Sequence, residues 1–126
     1  MEKGIQDSLK DPEVALRFIG LGEDDLRWFI LYKGRHAGGI TVYAGKDGSF
    51  SYGIAISPHL RGKGNAGAAL RLLFADMAGR GFSRVRVIVL KTNEASLRLH
   101  RSLKFTVTGY EEDAVKMERK LNEYEK

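Results

Sequence analysis

The stretch Arg61-Gly62-Lys63-Gly64-Asn65-Ala66-Gly67 holds the residues whose chemistry is easiest to name. An apolar run through Ile54 and Ile56, then Ser57-Pro58, leads into it, and an amphipathic helical pattern follows. A strand, a glycine-rich turn and a helix start together make an anion site. Amides in the first turn of a helix have no intrahelical acceptor, and the helix dipole favours negative charge there. Glycines let the backbone approach a phosphate closely, and Arg61 and Lys63 add positive charge. The stretch therefore predicts a phosphorylated ligand. It lacks the spacing of a nucleotide-hydrolysing phosphate loop and the Lys-Ser/Thr ending of one, which disfavours nucleotide hydrolysis.

A second segment runs from Asn93 to Phe105. At helical spacing Ala95, Leu99 and Leu103 form an apolar stripe, while Asn93, Ser96 and His100 share a different face. Asn93 is a good helix cap. A helix with Asn, Ser and His beside its apolar stripe can border a ligand groove.

The elements that must position these segments follow from periodicity. Val14 to Ile19, Trp28 to Tyr32, Gly39 to Ala44 and Phe50 to Ile56 read as four strands, the last two joined by the hairpin signal Lys46-Asp47-Gly48. In the helix after the glycine turn, Ala66, Leu70, Leu73, Phe74 and Met77 fall on one face, and Gly79 and Gly81 end it. Val85 to Leu90 is β-branched and nearly all apolar, the pattern of a central strand buried on both faces. Phe105 to Tyr110 and Ala114 to Leu121 read as a final antiparallel pair. There are no repeats, low-complexity segments or linkers.

At 126 residues the chain suits one core, and a single domain over 1–126 is expected. Lys and Arg number 21 against 16 Asp and Glu, a net charge of +5 that suits a polyanionic ligand. The absence of Cys excludes disulfides, zinc–thiolate sites and a cysteine nucleophile. His36 and His59 show no paired metal-ligand spacing, so no metal is expected. Nothing near Met1 reads as a signal peptide and no apolar run has the length of a membrane span, so the expected location is the cytoplasm, without a membrane partner.

Together the two segments resemble the GNAT superfamily of acyl-CoA N-acyltransferases, over roughly residues 28 to 121. That family carries Arg/Gln-x-x-Gly-x-Gly/Ala after its fourth strand, and Arg61-Gly62-Lys63-Gly64-Asn65-Ala66 stands there, preceded by Pro58. Its second signature is an Asn opening the helix after the fifth strand, a small residue three later, an aromatic seven later and Gly-Phe at the next strand. Asn93, Ser96, His100 and Lys104-Phe105 hold those positions, and Gly39 stands where the third strand often has a Gly. The resemblance implies an α+β fold: a mixed, mostly antiparallel sheet of six to seven strands, splayed between the fourth and fifth and flanked by helices. It implies acetyl-CoA as co-substrate. The amides from Gly62 through Lys63, Gly64 and Asn65 to Ala66 hold its pyrophosphate in this picture, and Arg61 shapes the turn. The strand edge at Ile54 and Ile56 pairs with the pantetheine arm. Asn93, with Ser96 one turn on, borders that arm, and His100 occupies the place of a Tyr that protonates the departing thiolate.

Three departures stand out. His100 is shorter than a phenol, and general acid and groove-lining residue are equally open readings for it. Gly53 replaces the usual strand-borne Glu, leaving the base unassigned among Glu23, Asp24, Asp25, Glu111 and Tyr52. Between the first and second strands only residues 20–26 intervene, room for little more than one turn, so a short acceptor-side helical region is expected in place of the family's two helices. The acceptor side is then open, or completed by a partner subunit in a homodimer. An open site favours a protein or peptide amine. Two other readings compete with an N-acetyltransferase that transfers directly to a primary amine. One is an acyl-CoA-binding module without catalysis. The other is a basic nucleic-acid binder using Arg84, Arg86, Lys91, Arg98, Arg101 and Lys104.

Overall fold

The computed structural model describes residues 13–22 and 25–121. Strands β1 (Val14–Leu21) and β2 (Asp25–Tyr32) form an antiparallel hairpin, paired from Val14↔Tyr32 to Leu21↔Leu26 with a bulge between Phe18 and Gly20. Strand β3 (Arg35–Ala44) returns through the Lys46-Asp47-Gly48 turn as β4 (Ser49–Ile56). A 3-10 turn at Pro58–Leu60 leads to helix α1 (Asn65–Gly79). Strand β5 (Arg84–Leu90), helix α2 (Glu94–Ser102), β6 (Thr106–Tyr110) and β7 (Ala114–Lys120) complete the order. The hydrogen-bonded strand order is β1-β2-β3-β4-β5-β7-β6. β4 and β5 run parallel, and their ladder consists of Ser49↔Arg84 and Phe50↔Val85. So short a pairing is the splay expected between the fourth and fifth strands.

The chain divides into two compact units, Met1–Val42 with Gly53–Leu73 and Tyr43–Tyr52 with Phe74–Lys126. In the first, Trp28, Ile30, Ile40, Val42, Leu70 and Leu73 are almost completely buried. Gly38 is crowded here: a Cβ on it would sit 2.0 Å from the carbonyl oxygen of Ala55, whereas Gly39, the position singled out in the sequence, meets nothing closer than 3.5 Å. In the second unit Phe50, Phe74, Met77, Val85, Phe105 and Met117 form the core. Phe74 lies 6.4 Å from Phe50 and 5.9 Å from Phe105, ring to ring.

Three sequence expectations change. The β1–β2 link is Gly22 and residues 23–24, less than one helical turn, so no acceptor-side helix of any length fits there. β5 is central in the strand order but buried on one face only. Val85, Val87 and Val89 are covered, while Ile88 and Leu90 are 66% and 54% exposed. A sheet with antiparallel partners can leave one face in water, which a continuous apolar run conceals. On α2 the buried residue is His100, and Ala95 of the supposed apolar stripe is exposed.

Candidate functional site

The glycine turn is built by backbone conformation. Gly62 has φ 74° and Gly64 φ 82°, in the left-handed region that favours glycine, and a Cβ at either would meet only open space. The need for glycine is thus conformational and not one of crowding. Arg61 folds back, its Nε donating to the Ile56 carbonyl at 3.0 Å. The buried Asn65 side chain donates Nδ2–H to the Leu60 carbonyl at 2.9 Å. The Ala68 amide closes the first helical bond, to the Gly64 carbonyl at 3.1 Å. The amides before it have the unpaired character of a helix N-terminus. Lys63 is exposed, Ala66 and Ile54 half-buried, and Ile56 buried. All of these residues belong to the first unit.

In the second unit Asn93 caps α2, its Oδ1 accepting the Ser96 amide at 3.1 Å. The buried His100 has both ring nitrogens engaged. Nδ1 lies 2.8 Å from the Ser96 carbonyl and 3.3 Å from the Ser96 hydroxyl, and Nε2 lies 2.6 Å from the Tyr52 hydroxyl. A carbonyl can only accept, so Nδ1 carries the proton and Nε2 accepts from Tyr52. The Tyr52 and His100 rings stack at 6.0 Å, and Phe105 meets His100 edge-on at 4.9 Å. Burial lowers the His100 pKa from its ordinary value, opposed by the Ser96 carbonyl, and burial raises that of Tyr52.

The pairing of Tyr52 with His100 leaves no trace in the sequence, because the two stand 48 residues apart. Tyr52 was one of five candidate bases. Of the others, Glu23 and Asp24 lie outside the described residues. Asp25 pairs with Arg27 at 3.3 Å, and Glu111 with Lys116 at 3.1 Å. Gly53 is exposed, with open space beside its Cα. Several cations of the supposed basic face have carboxylate partners: Arg86 with Asp47 and Glu118, Arg84 with Asp47, and Arg98 with Glu94. Among the described residues no helix is long and apolar enough to cross a membrane, and no three His, Asp or Glu group as metal ligands.

A seven-stranded mixed sheet with a two-pair parallel splay, and a left-handed glycine turn between β4 and α1, match the fold that the sequence resemblance implies. The sequence profile of the acetyltransferase (GNAT) family matches residues 4–105, and the chain belongs to that family of acetyl-CoA-dependent N-acetyltransferases. Solved structures share the fold. An acetyltransferase of the GNAT family from Streptococcus pneumoniae superposes with a TM-score of 0.69 at 17% identity, over 80% of this chain and 69% of that one. The ribosomal-protein-S18-alanine N-acetyltransferase from Escherichia coli gives 0.71 at 22% identity, over 81% and 72%. A ribosomal L7/L12 α-N-protein acetyltransferase in complex with coenzyme A gives 0.70 at 21% identity, over 77% of this chain and 62% of that one. No curated protein matches the sequence.

Proposed function

We propose that this chain transfers an acetyl group directly from acetyl-CoA to a primary amine, and prefers a protein or peptide amine to a small metabolite. The observation that carries the donor half is the turn with Gly62 and Gly64 at positive φ, opening on the unpaired amides of α1. In this reading the amides of residues 62–66 hold the pyrophosphate. Arg61 fixes the turn through Ile56, and Lys63 adds charge at its rim. The β4 edge at Ile54 and Ile56 receives the pantetheine. Asn93, whose Oδ1 is committed to the Ser96 amide, keeps Nδ2–H as a donor.

The acceptor preference has two supports. The three-residue β1–β2 link cannot supply a helical wall around a small metabolite. Two structures of the same fold are protein N-acetyltransferases by name. With acetyl-CoA as donor, the cytoplasm is the proposed setting. Thiol release from acetyl-CoA, measured across small amines, polyamines and peptides, tests the assignment. Release is expected with a peptide amine, and initial rates should give intersecting lines, since no Cys is present to hold the acyl group. Efficient turnover of a small amine with no peptide acetylation overturns the acceptor preference, and parallel lines overturn direct transfer.

A further inference from the structure

The geometry points to a proton relay: Tyr52 takes the proton from the attacking amine, and His100 holds it by accepting the Tyr52 proton at Nε2. This rests on the acetyl transfer proposed above and supplies the base that the strand, with Gly53 in place of a carboxylate, lacks. Both residues lie in one compact unit. Tyr52 stands two residues before Ile54 on the same strand, so strand alternation gives the two residues the same face. Its hydroxyl is 2.6 Å from His100 Nε2, and the Ser96 carbonyl at 2.8 Å from Nδ1 fixes the tautomer that leaves Nε2 bare.

The transfer balances as follows. The lone pair of the neutral amine forms the N–C bond to the thioester carbonyl carbon. The C–S bond breaks and its electron pair leaves on sulfur. The amine proton passes to the Tyr52 oxygen as the Tyr52 proton passes to His100 Nε2. The same path run backwards delivers that proton to the thiolate, so coenzyme A leaves as the thiol and both side chains return to their starting state. His100 is neutral at the start because burial lowers its pKa. Once protonated, it is a stronger acid than an ordinary imidazolium and gives its proton readily to a thiolate, whose conjugate thiol has a pKa of about 8.5. Tyr52, with its pKa raised by burial, does not ionise by itself, so it transfers one proton only as it receives another.

The elements around the pair supply Phe74 from α1, 6.1 Å from Tyr52, Ser96 from α2, and Phe105 ahead of β6. The Arg119 guanidinium of β7 lies 5.2 Å from the Phe74 ring. No charged group contributes to the shifts of Tyr52 or His100, which come from burial and the Ser96 carbonyl.

The test is the pH profile of kcat/KM for acetyl transfer to a peptide α-amine, in wild type, Tyr52→Phe, His100→Gln and the double variant. Wild type should lose activity with unit slope below the amine pKa of about 8, then with a slope of two below the lowered His100 pKa. Each single variant should lose about 10²-fold in kcat with the KM for acetyl-CoA unchanged, and its profile should keep unit slope throughout. The double variant should lose no more than either single, since the two groups act as a unit. A Tyr52→Phe protein with wild-type kcat overturns the relay, as does a double variant whose losses multiply. Tyr52→Phe keeps the ring against Phe74, so it decides the matter even where His100→Gln fails to fold. Wild type that releases no coenzyme A with any amine overturns acetyl transfer and the relay together, whereas release retained in Tyr52→Phe overturns the relay alone.

Discussion

At the scale of single residues, His100 is set by its two neighbours. The Ser96 carbonyl fixes Nδ1–H, and the Tyr52 hydroxyl faces Nε2. An imidazole so placed accepts a proton before it can donate one, which gives it a different first task from the phenol whose position it fills in the family pattern. Gly64 shows the same dependence on local geometry. Its φ of 82° costs most side chains about 1–2 kcal/mol, even though a Cβ there meets no neighbour. We expect Gly64→Ala to destabilise the protein by about that amount, and to raise the Kd for coenzyme A about tenfold as the turn relaxes away from its amide geometry. Calorimetric titration checks this, and an unchanged Kd would show that the turn amides do not hold the ligand.

At the scale of elements, the β3–β4 hairpin is pinned by charge. The Asp47 carboxyl accepts from the Ser49 hydroxyl and amide and faces Arg86 at 3.1 Å, and the Ser49 hydrogen bond chiefly lowers its pKa to about 2. A carboxyl depressed in the folded state contributes stability that is present above its ordinary value of 3.8 and is lost as pH falls through about 2. Acid unfolding between about pH 4 and pH 2 should therefore be less steep in Asp47→Asn than in wild type, and identical profiles would contradict this role. In α1 the ring of Phe74 is completely buried against Phe50, Tyr52 and Phe105. Phe74→Ala should cost about 3–5 kcal/mol in denaturant unfolding. A cost under about 1 kcal/mol would mean that the aromatic cluster collapses around the gap.

At the scale of the molecule, a net charge of +5 should steer a polyanionic donor. Stopped-flow association of coenzyme A should slow as salt rises and the Debye length falls below about 10 Å, with dissociation little changed; a salt-independent on-rate would confine the effect to the turn itself. The sequence by itself determined what is local. The glycine turn between an apolar strand and a helix, the Asn93 cap, the Lys46-Asp47-Gly48 hairpin and the strand and helix order all follow from residue type and spacing within a few positions. Tertiary structure decided what depends on residues distant in the chain. It made Gly38 the crowded glycine of β3, left Ile88 and Leu90 exposed, and turned the His100 face of α2 inward. It also brought the Tyr52 hydroxyl to His100 across 48 residues. Periodicity records which residues share a face of an element. What covers that face, and which polar partner makes burial of a histidine tolerable, is settled only when another part of the chain packs against it.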